Sequence, residues 1–420
     1  MQSRSRQLLA RSFACLWLLL WLPLAQPVAA DALPLLVEAR TAADEVVDPE
    51  ARAILLADLA AAWAGHNGEY AEKLLTEALA SVEAVEEPLA RVLARRGVAI
   101  RAQAWQPARA TAWLKQAEEE ARALPYPAQQ ALALREIARS RAATDTAAGR
   151  SVLAEAVESA RKVTQLLLRI AALRDVAEVA WLADEQMARN LLEEASRELL
   201  AAMPQDQPLE LARAELAVAW APRDPEMALS EAERIGDAQV LAACRLRLCE
   251  ALAPTDADLA LHLAGLQEGA GARALALATV AAYLPAAQAE LAAILARSAL
   301  NLGSDLVGEA QEALTAAAAL GLAREDPAEA LSLARELHDP DTQAATCSEL
   351  AARLVSNHPR EALALAHDID DWLERERCLS QLVSRLSSTH RDLALEVARG
   401  LRSPRLRAAA LLALANSPEG

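Results

Sequence analysis

Internal repetition constrains the fold of this chain more than any other feature. In the first half, the pattern Leu-x-x-Ala recurs with a constant step of 39 in residue number, and a set of single alanines keeps the same step. The members are Leu75/Ala78, Leu114/Ala117, Leu153/Ala156 and Leu192/Ala195, with Ala60, Ala99, Ala138 and Ala177 as the second set. Two apolar sets with one period predict two helices in each unit, because each helix contributes its own buried stripe.

The second half repeats with a shorter step, which is 32 in residue number. Its anchor leucines are Leu229, Leu261, Leu331, Leu363 and Leu395. The interval from Leu261 to Leu331 exceeds two such steps, which predicts an insertion near residues 301–305. Residues at fixed distances from the anchors are predicted to cap the two helices of each unit. They are Asp224, Asp256, Asp326, His358 and His390 before the anchors, and Asp237, Asp339, Asp371 and Ser403 after them.

These patterns predict an all-α protein, an α-solenoid of about ten helix-turn-helix repeats wound as a right-handed α-α superhelix. Residues 31–222 form the part with the 39-residue period and residues 223–420 the part with mainly the 32-residue period. No linker rich in Ser, Gly or Pro separates them, so we expect one continuous stack. Since a single unit cannot bury both of its helices, neighbouring units must stack into a curved rod.

The repeats resemble the α-α superhelical proteins, with tetratricopeptide-like units in the first half and HEAT-like units in the second. The segment from Leu59 to Ala80, with Gly68, Glu69 and Tyr70 between its helices, is most similar to a tetratricopeptide unit. This resemblance implies a scaffold or protein-binding role. It implies no particular functional residue.

The N-terminal segment, residues 1–30, has the three parts of a signal peptide. Three arginines precede an apolar run from Leu16 to Leu24, and Val28, Ala29 and Ala30 end the segment. We expect cleavage after Ala30 and therefore a periplasmic or secreted protein. The apolar run is too short to span a membrane, and no integral membrane segment is expected after cleavage.

The charge of the chain limits its partners. The formal net charge is −17, and removal of the three signal-peptide arginines makes it −20. Such a protein repels phosphate backbones, so nucleic acid is excluded as a partner and a basic protein or peptide is favoured. Four cysteines follow the signal peptide and are interpreted as small buried side chains, with a bond between the last two left open. They are Cys244, Cys249, Cys347 and Cys378.

No short motif for catalysis, metal binding or cofactor binding occurs in the sequence. HExxH, GxSxG, GxxxxGK[ST] and GxGxxG are all absent. His358 and His390, and the acidic turns around Asp339 and Asp371, are interpreted as helix caps rather than as zinc or calcium ligands. The sequence therefore predicts no catalytic residue, no metal ligand and no cofactor.

Two groups of side chains are the candidate binding residues. Trp63 and Trp181 fall near the ends of first helices, where a superhelix can expose them on its inner face as binding anchors. Arg273, Arg375 and Arg407 share one position, twelve after an anchor leucine. They form either a ladder facing a groove or salt bridges between repeats.

Three functions are compatible with this pattern. The first is a non-catalytic exported protein that binds a protein or peptide on its concave surface. The second is a superhelical enzyme or accessory protein acting on cell-envelope polysaccharide, which a cluster of carboxyl groups with raised pKa would indicate. The third is an assembly subunit that stacks on another chain through the apolar last helix, Leu406 to Asn416.

Overall fold

The computed structural model describes residues 32–202 and 207–417, which form 22 α-helices and no strand. The all-α class predicted from the repeats is confirmed, and the predicted signal peptide lies outside the described residues. The helices are α1 Ala32–Asp44, α2 Pro49–Trp63, α3 Gly68–Glu83, α4 Pro88–Ala102, α5 Pro107–Arg122, α6 Pro127–Ala142, α7 Thr146–Arg161, α8 Leu166–Ala183, α9 Glu185–Ala201, α10 Gln207–Trp220, α11 Pro225–Glu233, α12 Ala238–Leu252, α13 Ala257–Gly265, α14 Ala270–Tyr283, α15 Ala289–Leu302, α16 Glu309–Leu322, α17 Pro327–Arg335, α18 Pro340–Leu354, α19 Pro359–His367, α20 Trp372–Leu386, α21 Arg391–Gly400 and α22 Pro404–Asn416.

Most helices of the second half begin where the capping pattern predicts. Seven of the nine predicted caps accept a hydrogen bond from a backbone N–H of the first turn. They are Asp224, Asp237, Asp256, Asp326, Asp339, Asp371 and Ser403. His358 and His390 also occupy N-cap positions, but their side chains make no capping hydrogen bond.

The helices form two layers. Each even-numbered helix from α2 to α22 packs on the even-numbered helices before and after it. Each odd-numbered helix from α3 to α21 packs mainly on the even-numbered helix before it and also contacts the even-numbered helix after it. Small side chains allow the close approach: a Cβ at Gly97 of α4 would come within 2.3 Å of the Ile54 side chain on α2. The two layers together are consistent with a helical solenoid.

The two ends of the described chain pack against each other. In the described part of the chain no odd-numbered helix follows α22. Helix α1 takes that place by packing along α22, while α22 also contacts α2. Ion pairs join α1 to the last two helices: Arg399 of α21 binds Glu38 at 2.7 Å, and Arg407 of α22 binds Glu45 at 2.7 Å. The eleven even-numbered helices therefore form a closed inner layer, which is a ring rather than an open rod.

This closure adds to the curved rod predicted from the sequence and bears on one of the three compatible functions. The sequence did not predict whether the rod closes, because repeat spacing does not specify how much each unit turns relative to the next. An assembly subunit would need the apolar last helix to be free for stacking on another chain. Ala408, Leu411 and Leu414 of α22 are instead buried, because the first helix of the same chain covers them.

The extra residues predicted near residues 301–305 lengthen one outer helix and its turn. Helix α15 has 14 residues, whereas α11, α13, α17 and α19 have nine each. Its outward face carries Leu291 and Ile294, both exposed. Elsewhere, Cys244, Cys249, Cys347 and Cys378 are buried and free. Across residues 32–202 and 207–417, no helix combines the length and hydrophobicity that crossing a membrane requires.

Candidate functional site: the inner surface of the ring

One face of every inner helix remains open to solvent at the centre of the ring. Two sides of each inner helix contact its inner neighbours and its back contacts the outer layer, so the remaining face points inward. One position on this face recurs once per inner helix, and none of its members is buried. We call this set the apolar collar: Ile54, Leu93, Leu132, Ala171, Leu211, Ala243, Leu275, Ala313, Ala345, Arg377 and Ala409. Arg377 is the one polar member.

A chain of ion pairs lies about one helical turn below the collar and joins six consecutive inner helices. Arg101 of α4 binds Asp58 of α2 at 2.6 Å, and Arg96 of α4 reaches Glu136 of α6 at 3.3 Å. The chain continues through four further pairs: Arg135–Glu136 at 3.0 Å, Arg135–Asp175 at 3.1 Å, Arg174–Asp175 at 2.8 Å and Arg174–Glu215 at 2.9 Å. It ends at α12, where Arg247 binds Glu215. We call this set, together with Arg139 of α6, the charge belt.

Arginines continue the belt in the second half of the ring, but they bind carbonyl groups. Arg353 of α18 donates to the carbonyl oxygens of Ala282 at 2.7 Å and Leu320 at 2.9 Å, near the ends of α14 and α16. Arg385 of α20 donates to the carbonyl of Ala352 in the same way. The last carbonyls of a helix lack partners inside the helix, so these arginines satisfy them and hold successive helices together.

Asp58 lies on the inner surface where neighbouring helices surround its carboxyl group. About 37% of its side chain is exposed, yet burial among the surrounding helices raises its pKa, and Arg101 only partly offsets this. The pKa of Tyr283, on α14, is raised by burial and by the neighbouring Glu250. Solvent reaches both groups, but protein surrounds each of them on most sides, and this raises the pKa. Such surroundings are expected on the inner surface of a ring.

The tryptophans singled out from the sequence lie away from the collar, at the turns between the layers. The Trp63 ring meets the edge of Tyr70 with 5.0 Å between centroids. Trp181 makes a similar contact with Trp220 at 6.1 Å, and the guanidinium of Arg189 lies 5.6 Å above its ring. Both are partly buried, and their role as binding anchors stays a prediction.

Arg375 and Arg407, two of the three arginines twelve residues after an anchor leucine, donate hydrogen bonds to the turn that precedes their own helix. Arg375 donates to the carbonyl of Ile369 at 2.7 Å, and Arg407 donates to that of Leu401 at 3.4 Å. Arg407 also makes the ion pair with Glu45 that crosses between the two ends of the chain. Arg273 is exposed in the first turn of α14. The three do not lie on the collar face, and no contact tests their binding role.

The histidines and acidic turns lie at helix starts. Asp339 and Asp371 accept backbone N–H groups as caps. His390 borders a cleft of about 460 Å³ between the starts of α19 and α21, in the outer layer, together with Arg360 and Arg391. In the parts of the chain that the structure describes, no three His, Cys, Asp or Glu side chains converge as metal ligands would.

The collar and the charge belt were missed in the sequence because they share the repeat period with the core. Leu93 and Leu132 are separated by one full repeat step, and so are the buried Val98 and Ile137. Periodicity alone cannot separate an apolar side chain that faces the hole from one that faces a neighbouring helix. The charged residues four positions later, such as Asp58, Glu136 and Asp175, were the available signal, since such groups are seldom buried unpaired.

Comparison with known proteins adds little to this description. No family model matches the chain, and no curated protein is similar to it. One solved structure, the crystal structure of Ton1535 from Thermococcus onnurineus NA1, shares 16% identity and covers 82% of this chain and 95% of its own, with a TM-score of 0.34.

Proposed function

We propose that this protein binds a polypeptide partner on the inner surface of its ring and has no catalytic activity of its own. The observation that carries the proposal is the apolar collar, ten apolar side chains that recur once per inner helix and are not buried. Apolar side chains grouped on one accessible face of a folded protein mark a binding site more often than scattered ones do. Because the collar draws on eleven helices, the contact is spread over many weak anchors.

The same proposal includes the class and location of the protein. It is an α-α superhelical repeat protein with tetratricopeptide-like and HEAT-like units, right-handed, with about ten sequential helix-turn-helix repeats. A signal peptide directs it to the periplasm or the cell exterior, where it serves as a scaffold. The repeat periods and the pattern of helix pairing support this class, and the arginines before the apolar run of residues 16–24 support export.

The experiment is affinity capture of the tagged protein from its native envelope fraction, followed by mass spectrometry. The test variant Leu93→Gln/Leu132→Gln makes two collar positions polar. The matched control Leu291→Gln/Ile294→Gln changes two exposed apolar residues on the outer helix α15. We expect one stoichiometric protein partner that the wild type and the control retain and the collar variant loses.

Either of two results would contradict the proposal. The collar variant would retain the partner if the binding surface lay elsewhere. The wild type would enrich glycan fragments in place of a protein if the ring acted on envelope polysaccharide.

The polysaccharide enzyme is kept as a second candidate because of the raised pKa of Asp58. A glycosidase needs a second carboxyl group roughly 5–9.5 Å from the first, and the nearest charged partner of Asp58 is instead Arg101 at 2.6 Å. Release of soluble sugar from envelope polysaccharide by the wild type, and its loss in Asp58→Asn, would favour this candidate over the binding protein.

A further inference from the structure

We propose that Arg96 and Arg139, on the neighbouring inner helices α4 and α6, form a binding site for a carboxylate of the bound polypeptide. The segment held in the ring then carries acidic side chains among its apolar ones. This inference rests on the proposed function and specifies the chemistry of the partner.

Positive charge is in excess at this part of the charge belt. Four arginines of α4 and α6 face the centre: Arg96, Arg101, Arg135 and Arg139. They face three carboxylates, Asp58, Glu136 and Asp175. One of these, Asp175, also pairs with Arg174. The arginines are therefore incompletely neutralised, in a chain whose net charge is −17.

Glu136 carries most of the imbalance. Arg96 approaches it at 3.3 Å, Arg135 at 3.0 Å and Arg139 at 3.4 Å, so that one carboxylate serves three guanidinium groups. Among the described residues, the one hydrogen-bond and ion-pair partner of Arg139 is Glu136, so the other N–H donors of Arg139 have no protein acceptor. The Nε of Arg135 is buried without a hydrogen-bond partner in the same part of the chain.

The environment of Arg96 agrees with an unfilled site. Its Nε donates to the carbonyl of Glu136 and to the Ser140 hydroxyl, both at 2.7 Å, and its Nη2 reaches the shared Glu136 carboxylate only at 3.3 Å. Burial lowers the pKa of Arg96, Glu136 opposes this, and three neighbouring arginines add to the lowering. An anion placed between Arg96 and Arg139 would relieve this repulsion.

A carboxylate is favoured here although the chain as a whole is acidic. Charges on the outer layer are separated from the hole by two layers of helices, and salt screens exposed charges over about 8–10 Å. A carboxylate in contact with two guanidinium groups interacts with them far more strongly than with those distant acids. The overall acidity still favours basic surface where a partner meets the outer layer.

The test measures binding of three labelled peptides by fluorescence anisotropy. The peptides have equal length, the same leucines and amidated C-termini, and they differ in having glutamate, glutamine or lysine between the leucines. We expect the wild type to bind the glutamate peptide roughly tenfold more tightly than the glutamine peptide, the difference expected for one charge-assisted hydrogen bond. A glutamine peptide with a free C-terminus shows whether a terminal carboxylate serves equally well.

Variants then assign the preference to the two arginines. Arg139 has only weak contacts with its neighbours, so its replacement should leave the fold intact. Arg139→Gln should reduce the preference to about twofold, because it weakens binding of the glutamate peptide more than binding of the glutamine peptide. Arg139→Lys should retain part of the preference, and Arg96→Gln should lower it as well. Arg161→Gln is the matched control, because Arg161 pairs with Glu194 and Glu158 on the outer layer.

The possible failures are distinguishable. Equal binding of the glutamate and glutamine peptides, tighter binding of the lysine peptide, or a preference that survives Arg139→Gln would overturn the carboxylate site alone. If none of the peptides binds, and envelope capture yields no partner that depends on the collar, the proposed function fails with it.

Discussion

Carboxylates that are buried or half-buried join one repeat to the next at the scale of single residues. Glu376 of α20 accepts the backbone N–H groups of Arg402 and Ser403, each at 2.6 Å. Glu210 accepts the N–H of Gly236 at 3.0 Å, and Glu312 accepts that of His338 at 3.0 Å. In all three cases the acceptor precedes the donor by 26 or 27 in residue number, so the contact recurs with the repeat.

Replacing Glu376 by alanine should destabilise the protein. Two backbone N–H groups would lose their charged acceptor, and the free energy of unfolding should fall by about 2–4 kcal/mol. Urea unfolding followed by circular dichroism measures this loss. Glu374→Ala is the control, because Glu374 is exposed and pairs with Arg377 at the surface, and it should cost less than about 1 kcal/mol. Equal losses for the two variants would contradict the role given to Glu376.

The four described cysteines should be unreactive in the folded protein. Burial raises the pKa of Cys249 to about 12 and those of Cys244, Cys347 and Cys378 to about 11. Because the thiolate is the reactive form, we expect a thiol reagent at pH 8 to leave all four unlabelled until the chain is unfolded. Peptide mapping after labelling would locate any exception. Rapid labelling of any of the four in the native state would show that its surroundings open easily.

Single residues show what the sequence could and could not reveal. The caps Asp224, Asp326 and Ser403 were predictable because capping depends only on neighbours in the chain. The acceptor role of Glu376 was not, because its donors belong to the next repeat and ordinary acidic residues are frequent. The collar leucines could not be distinguished from core leucines because their spacing is identical to that of the core.

The closing pair of helices is the main feature at the scale of elements. Leu36 and Ala39 of α1 lie one full repeat step before Leu75 and Ala78, so α1 is an outer helix of the repeat, and the described residues contain no inner helix before it. Helix α22 is an inner helix, and residues 32–417 as described contain no outer helix after it. The two unpaired elements complete each other. This pattern is visible in the sequence, but it predicts closure only if the curvature of the stack is also known.

Exchanging the charges of one ion pair should test the closing contact. Glu38→Arg or Arg399→Glu alone places like charges together and should increase hydrogen exchange of the α1 amides. The double variant restores an opposite pair and should recover most of the protection. The same exchange at Arg161 and Glu194, within the outer layer, should leave α1 exchange unchanged. Failure of the double variant to recover would show that this pair does not hold α1 in place.

The contribution of Glu38 should depend on pH in a defined direction. A hydrogen bond from Arg399 lowers the pKa of Glu38 below its usual value. Its contribution is therefore present above the unfolded pKa of about 4.3 and is lost as the pH falls through the lower folded pKa. Glu38→Gln should be less stable than wild type at pH 7, by less than about 1 kcal/mol because the pair is exposed, and equal to it near pH 2. A difference that grows in acid would contradict this assignment.

At the scale of the whole molecule, the ring depends on its first helix. Deleting residues 32–47 would remove α1 and expose the apolar face of α22 that it covers, including Leu411 and Leu414. We expect the shortened protein to self-associate or to become more extended in small-angle X-ray scattering. A synthetic peptide of residues 32–47 should restore the compact monomer. An unchanged monomer without α1 would show that the ends do not need each other.

The closing contact also makes assembly of the ring depend on synthesis of α21 and α22. Glu38 and its partner Arg399 are 361 residues apart, and a ribosome makes α1 long before it makes α21 and α22. Contacts so distant in sequence form late in folding, because the intervening chain must first be ordered. A prematurely terminated chain therefore presents α1 with nothing to cover, and proteases have an open end to attack. The last contact to form thus distinguishes closed rings from chains that stop before α21.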